Sequence, residues 1–515
     1  MTNLSDLFPA GAGKQVSFVA DGAISAAGKP VILNSAGTVT PVAETSSAVD
    51  IPYGSASTFT TTANRYVAND IHFDPVTKGR VGASYNGPSD YPSFVMGTHS
   101  GSSITWGTAV VLVSTGSNVT TAFNFDPNNA NEVVFLYQLV GTGITARQGT
   151  ISGSGASITT TLGTPLTMYS DSGTANTKAI RNSAVAFDPS AATPTFLAFF
   201  IQTAASNTEV VRSGTISGTS ITAGSSVNLP TTMDDRDFVR LAFNAAGTWG
   251  IAYPTSVGDY LAMVFGSISS NVPQVGTQIV VISAAAGRAP LIQFDPFNNL
   301  RISVGYEISS IGYAQIYTLA NAGTGTTVST GTQTAIAGNL TSMPCSVLFN
   351  DVTQNDLIIT FQDAVDDLYM RPATYNPASS NAMTLGTAVL VFDYSAAGDT
   401  PQKPYGAGMG NGVAAYAYTL DSNDDGTMVF AKGVTNETNL TATNLLGIAA
   451  GAITSGASGA INTWGSRNEV QTSLTVASDY YVQSDGTITK TSTSPAQLIG
   501  QAITATQINI KDYTG

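Results

Sequence analysis

Residues 107–137 read GTAVVLVSTGSNVTTAFNFDPNNANEVVFLY, and the reading of this stretch decides the fold. Phe125-Asp126-Pro127-Asn128-Asn129 is a strand end running into an Asx/Pro turn, and Glu132 to Tyr137 is an apolar, β-prone run of strand length. Together they predict a hairpin. The Gly107-Thr108 that opens the stretch belongs to a series: glycine followed by Ser or Thr recurs at Gly54, Gly107, Gly163, Gly224, Gly276, Gly331 and Gly386, at intervals of 53, 56, 61, 52, 55 and 55 residues. An aromatic follows each one 18 to 24 residues later, at Phe73, Phe125, Phe187, Phe243, Phe294, Phe349 and Tyr405. Two markers in step define an internal repeat, which outranks any single motif.

A second hairpin is legible in Glu209–Arg212, Gly214–Ile221 and Gly224–Leu229, so each unit holds about four strands. Units of about 50 residues with four antiparallel strands predict propeller blades. The chain enters on the strand Gly54–Phe59 and leaves after Met428–Lys432 without an eighth Gly-Ser/Thr strand. One blade therefore lacks its fourth strand, and the opening strand supplies it, covering an exposed sheet edge. The fold expectation is all-β: a seven-bladed β-propeller over residues 51–438, with a small β anchor built from residues 1–50 and 439–515.

Composition agrees: 43% hydrophobic, 10% charged and 51 glycines suit many short strands with tight turns. The net charge of −14 gives no general attraction to nucleic acid or to an anionic membrane surface. No apolar run reaches membrane-helix length. Cys345 stands alone, so no intrachain disulfide forms, and the first residues, MTNLSDLFPAGAGKQ, show no basic and apolar secretory pattern.

Little in the chain reads as catalytic. Two histidines, His72 and His99, and one cysteine do not make a zinc site, and no cofactor is expected. His72, directly before Phe73, reads as a surface or groove-facing strand residue. Asp74, Asp126, Asp188, Asn244, Asp295 and Asn350 each follow the marker Phe. The exchange of Asp for Asn points to side chains that bond their own backbone in hairpin turns, because a catalytic acid or base would not tolerate the amide. Asp421, Asn423 and Asp425 alternate before Gly426 as in a calcium loop, but the twelfth position is Lys432 instead of a bidentate Glu, and a polar hairpin turn is preferred. Aromatics recur about twelve residues after the marker, at Tyr85, Tyr137, Phe199, Tyr306 and Phe361, with Tyr253 at ten, and read as core between blades. The polar residues after them, Asn86, Gln138, Glu307 and Gln362, fall on the other face by alternation. They are the ligand-facing candidates for a groove or channel, with plain solvation the simpler account.

Residues 31–40 (VILNSAGTVT) and 480–489 (YYVQSDGTIT) carry the same strand–turn–strand pattern at opposite ends of the chain. These hairpins, with Leu4–Ser17 (LSDLFPAGAGKQVS) and the closing series LLGIAAGAITSGASGAINTW and LIGQAIT, resemble the ends of structural proteins of tailed bacteriophages, especially those of marine bacteria. The resemblance is confined to the two ends and implies a tail fibre, spike or head-associated decoration protein, with no catalytic residues to carry over. The expectation is a non-enzymatic virion surface protein, multi-copy or homo-oligomeric, assembled in the bacterial cytoplasm. Its partners would be capsid or tail proteins and a host cell-surface polysaccharide, without nucleic-acid binding or membrane insertion. A glycan-binding or glycan-processing propeller is the alternative.

Overall fold

A computed structural model describes residues 15–46, 49–60, 70–115, 118–139, 143–170, 184–202, 208–230, 239–256, 258, 260–283, 287–321, 323–338, 340, 345–393, 401–420, 425–434, 436–441, 443–492 and 496–511. Among these residues there is no α-helix. The chain forms two compact units, one of residues 48–434 and one made from both ends, residues 1–47 and 435–515. Residues 435–438 join the terminal unit, because Asn436–Thr438 pairs antiparallel with Glu44–Ser46.

The 48–434 unit contains seven antiparallel sheets among the described residues, each with four successive positions. In the second sheet these are Asn118–Phe125, Glu132–Leu139, Gly143–Ser152 and an outer position shared by Thr159–Leu162 and Leu166–Tyr169. The run EVVFLY is apolar at every position after Glu132 because both faces of its strand are covered. Val133, Phe135 and Tyr137 pack with Phe94 and Met96 of the first sheet, whereas Val134 and Leu136 pack with Phe187, Phe196 and Phe200 of the third. Burying each such side chain contributes about 1.5–3 kcal/mol.

The first strand of each sheet touches the first strand of the next, and that of the seventh sheet, Pro401–Gly410, touches that of the first, Asp70–Phe73. The fourth strand of the seventh sheet is Ser57–Thr60, paired with Gly426–Lys432, so the expected contribution of the chain's opening strand is present. Beside it, Asp50 and Lys432 exchange two backbone hydrogen bonds of 2.9 Å, and Tyr53 donates its N–H to Phe430 at 2.8 Å. The chain thus enters and leaves this unit at adjacent residues.

The Gly-Ser/Thr marker falls in the outer position, where one sheet meets the turn between the third and fourth strands of the next. A Cβ on Gly54, Gly107, Gly163, Gly224 or Gly276 would come closer than 3.0 Å to the carbonyl oxygen of Ser102, Ile158, Thr219, Asn271 or Thr324 respectively. The same turn carbonyls accept the N–H of the residue after the glycine: Thr108 to Ile158 at 3.2 Å and Thr164 to Thr219 at 3.1 Å, with Thr332 to Ser380 at 2.8 Å in the sixth-sheet equivalent. The glycine carbonyl is held in turn from its own third strand, by Arg147 Nε on Gly163 at 2.8 Å, Arg212 on Gly224 at 3.0 Å and Arg371 on Gly386 at 2.7 Å.

Register corrects two aromatic assignments. Phe187 pairs with Phe196 as Phe125 pairs with Val133, so Phe200, and not Phe199, occupies the place of Tyr137. In the seventh sheet Ala414 and Tyr416 pack towards the sixth, as Val133 and Phe135 pack towards the first, and Ala414 pairs with Met409. The seventh marker is therefore Met409 instead of Tyr405. A register irregularity between Gln402 and Gly406 separates the two positions.

Among the described residues the terminal unit has, besides the two-stranded ladder of Glu44–Ser46 and Asn436–Thr438, two five-stranded sheets that share a core containing Ile32, Leu445 and Ile448 from one and Tyr480, Val482, Ile499 and Ile508 from the other.

The seam predicts a graded glycine response. Gly163→Ala should lower the unfolding free energy of the 48–434 unit by about 1–3 kcal/mol, since Thr219 is backbone and cannot swing away. Gly338→Ala, with nothing among the described residues within 4 Å of the added carbon, should be close to neutral. Urea unfolding of both variants checks the contrast.

Candidate functional site

The first strands surround a cavity of about 240 Å³ lined by His72, Asn124, Arg240 and Gln293, with the marker residues Phe73, Phe125, Phe187, Phe243 and Met409 around it. Arg240, just before the first strand of the fourth sheet, points a guanidinium nitrogen at Asp70 Oδ1 of the first sheet, 3.7 Å away. Asp70 also lies 3.2 Å from His72 Nε2 and accepts the Phe123 N–H at 3.3 Å. Burial pushes the Asp70 carboxyl up, but His72, Arg240 and the Phe123 amide outweigh it and hold it below its ordinary value. The His72 ring meets Phe123 edge-on at 5.2 Å. The expectation that His72 faces a groove fits its place in the cavity wall. The cluster can fasten the first sheet to the fourth, and it can offer a small polar guest a guanidinium, an imidazole and two amides.

The Asp/Asn column lies at the hairpin turns. Oδ1 of Asp74 accepts the N–H of Val76 and Thr77, both at 2.9 Å, and Asp126, Asp188 and Asp295 accept from the residue two further on at 2.8–2.9 Å. Asn244 and Asn350 make the same turn with their amide oxygens. The second atom differs, so exchange between Asp and Asn is not free at every position. Asn244 Nδ2 donates to the Asn299 carbonyl at 2.8 Å and Asn350 Nδ2 to Val434 at 2.6 Å. Asp295 Oδ2 instead accepts from the Tyr375 hydroxyl of the next sheet at 2.6 Å, with Arg301 at 3.9 Å. Among the described residues Asp126 Oδ2 is buried with no hydrogen bond, and burial raises that carboxyl above its ordinary value.

Asn86, Gln138, Glu307 and Gln362 lie near the ends of second strands, and the solvated reading is corrected: they are 2%, 7%, 9% and 1% exposed. Alternation did place them on the other face, but that face meets the next sheet. Gln138 has the parity of Val134 and Leu136, and Glu307 that of Ser303, whose hydroxyl donates to Val347 of the sixth sheet at 2.7 Å. They lie in four different seams. Asp421 and Asn423 lie outside the described residues, and Asp425 immediately precedes the strand Gly426–Lys432. Among the described residues no group of three His, Cys, Asp or Glu side chains could hold a metal ion, and no helix is long and apolar enough to cross a membrane. Cys345 is buried, and burial pushes its thiol above the ordinary range. Sequence reading missed Arg240 and Asp70. Neither carries a motif, and only folding brings the first and fourth sheets together across the cavity.

Two measurements test this account. Asp126→Asn should change stability by less than about 1 kcal/mol, because the turn persists and a poorly solvated charge is removed, whereas Asp295→Asn should cost about 1–3 kcal/mol through Tyr375 and Arg301. Equal effects by chemical denaturation would contradict the assigned second-atom roles. Arg240→Met should destabilise the unit by about 2–4 kcal/mol at pH 7, by leaving Asp70 without its cation. Asp70 has a lowered value in the folded chain, so its contribution is present above the ordinary 3.8 and is lost as pH falls through the folded value. The gap between parent and variant in unfolding free energy should therefore close on acidification below about pH 4.

No family model and no curated protein matches the chain. Solved structures similar to it include a putative 6-phosphogluconolactonase from Bacteroides fragilis (10% identity over 78% of this chain and 99% of that one, TM-score 0.46). Sqt1 from Chaetomium thermophilum is similar at 11% identity over 72% and 83% (TM-score 0.43). A fucoside complex of a mutant Aleuria aurantia lectin is similar at 12% over 64% and 98% (TM-score 0.37). With identities of 10–12% and TM-scores below 0.5, these likenesses say nothing of function, and the fold rests on the chain's own strand pairing.

Proposed function

We propose that the seven sheets are the blades of a closed seven-bladed β-propeller, and that the chain is a non-enzymatic surface protein of a bacteriophage particle, attached through its terminal unit and presenting the propeller. The observation that carries this reading is the division of labour within the chain. Both ends fold into one unit of their own, while residues 48–434 form a second unit entered and left at the paired residues Asp50 and Lys432. The resemblance of the two ends to phage structural proteins gives that terminal unit its role, attachment to capsid or tail. The cyclic contacts of the first strands and the supply of a fourth strand by Ser57–Thr60 support the closed ring. The acidic residues that recur with the repeat are occupied as turn formers, and Asp70, His72 and Arg240 are occupied with one another, which suits a binding and presenting role. Host-surface polysaccharide or a neighbouring virion subunit is the partner of the propeller in this reading.

Mass spectrometry of purified particles decides it. Peptides from both units should be recovered at a fixed ratio to the major capsid or tail subunit, and a chain reduced to residues 48–434 should stay soluble and be left out of particles. Absence of the full-length chain from particles, or incorporation of the shortened one, overturns the assignment.

A further inference from the structure

The two sheets of the terminal unit are the same sheet drawn twice. Their strand orders, written by residues, are Gln15–Val19, Ser458–Thr463, Leu445–Ala449, Pro30–Leu33, Val39–Pro41 and Arg467–Asn468, Ile508–Ile510, Gln497–Ala502, Asp479–Val482, Ile488–Thr489. Position by position the second order repeats the first. Register agrees as well. Val31 faces Gly447, and Ile32 faces Leu445 after an irregularity that skips Leu446. Tyr480 faces Gly500, and Tyr481 faces Leu498 after an irregularity that skips Ile499. Gly447 and Gly500 stand at the same point, and a Cβ on either would come closer than 3.0 Å to the carbonyl of Asn462 or Asn509, which are themselves equivalent.

The hairpins correspond in detail. Asn34 donates its N–H to Thr38 at 2.9 Å and Gly37 to Asn34 at 3.0 Å, while Gln483 donates to Thr487 at 2.8 Å and Gly486 to Gln483 at 3.0 Å. Gly37 and Gly486 share φ values of 79° and 78°. Asn34 Nδ2 reaches the Thr40 hydroxyl at 2.6 Å, and Gln483 Nε2 reaches that of Thr489 at 2.9 Å. Before each hairpin, Gly28 and Ala477 both have positive φ, and each donates its N–H to the end of the third strand in the order, Ala449 or Ala502. Agreement in order, register, irregularity and turn is too much for two unrelated sheets.

We infer that the terminal unit is one five-stranded module present in two copies, and that residues 48–434 are an insert in a single connection of the first copy. In the second copy Thr489 is joined to Leu498 by KTSTSPAQ. In the first copy the equivalent connection, from Thr40 to Leu445, carries the Glu44–Ser46 and Asn436–Thr438 ladder and, beyond it, the whole 48–434 unit. The copies stack in the same orientation. Val31, Leu446, Ala449 and Ile461 make the core of the first, and their equivalents Tyr480, Ile499, Ala502 and Ile508 make that of the second, which is covered by Ile32, Leu445 and Ile448 from the back of the first. On the back of the second copy Gln501 replaces Ile448, a polar end residue of the kind that terminates a stack of repeats. The inference concerns how the unit is built and stands whether or not the chain belongs to a virus particle.

The test moves the insert within the full chain. Closing the ladder by an Asn-Gly turn between Ser46 and Asn436, and placing residues 48–434 between Ser492 and Ala496, leaves every core residue of the module in place. Amide-exchange protection of Pro30–Leu33, Leu445–Ala449 and Gln497–Ala502 should survive, and the 48–434 unit should keep its own unfolding transition. Collapse of protection at Pro30–Leu33 and Leu445–Ala449 would show that the insert is part of the module and sink the idea. In the unaltered chain, Gly447→Ala and Gly500→Ala should each lower the transition of the terminal unit to a similar extent and leave that of the 48–434 unit where it was. A neutral result at either glycine, or a shift of the other unit, counts equally against equivalence.

Discussion

A carbonyl oxygen of one sheet sits where the neighbouring sheet would otherwise place a Cβ, and the 48–434 unit depends on this contact. It recurs between consecutive sheets, from Gly54 against Ser102 to Gly276 against Thr324, and it fixes how closely one outer strand can approach the next turn. Glycine is required there for space and not for an unusual backbone angle, since of these five only Gly54 has a positive φ. The Ser or Thr that follows supplies the N–H that turns close approach into a hydrogen bond at several seams. Because each sheet is apolar on both faces, a seam that opened would expose two hydrophobic surfaces together, so the seams and the core stand or fall as one.

The polar groups of the inner strands act within that frame. The turn-forming carboxyls and amides use one atom to shape their own hairpin and, at Asn244, Asp295 and Asn350, the other to hold a residue further along the chain. Asp70, His72 and Arg240 meet across the cavity, and burial, which alone would push the Asp70 carboxyl up, is outweighed there by its two neighbours. The terminal unit follows a different logic. Its stability comes from stacking two like modules, and its connection tolerates a large insert because the two ends of that insert lie side by side at Asp50 and Lys432.

Misreadings in the sequence have local physical causes. Phe196, Phe199 and Phe200 lie in one run that is apolar from Phe196 to Ile201, and only pairing with Phe187 shows that Phe200 is the counterpart of Tyr137. Tyr405 has the spacing of a marker, but a register irregularity after Gln402 hands the position to Met409, an unbranched side chain that fills the same space without the aromatic signature. Alternation correctly sends Gln138 and Glu307 to the opposite face from Tyr137 and Tyr306. In a sheet covered on both sides, however, the opposite face is another seam and not water.

The sequence by itself determined the repeat, its four-strand content, the turn chemistry of the Asp/Asn column and the likeness of the two terminal hairpins, because each rests on spacing or on a side chain acting on its own backbone. It also predicted that the opening strand completes the last sheet, since a missing fourth strand is a counting argument. Only tertiary structure decided why the marker is glycine, which second atom of Asp126 or Asp295 has a partner, and that Arg240 meets Asp70. It alone showed that the terminal sheets match strand for strand, because strands from residues 15–41 and 445–463 must come together before the first copy exists at all. Contacts between residues far apart in the chain leave no local pattern to read.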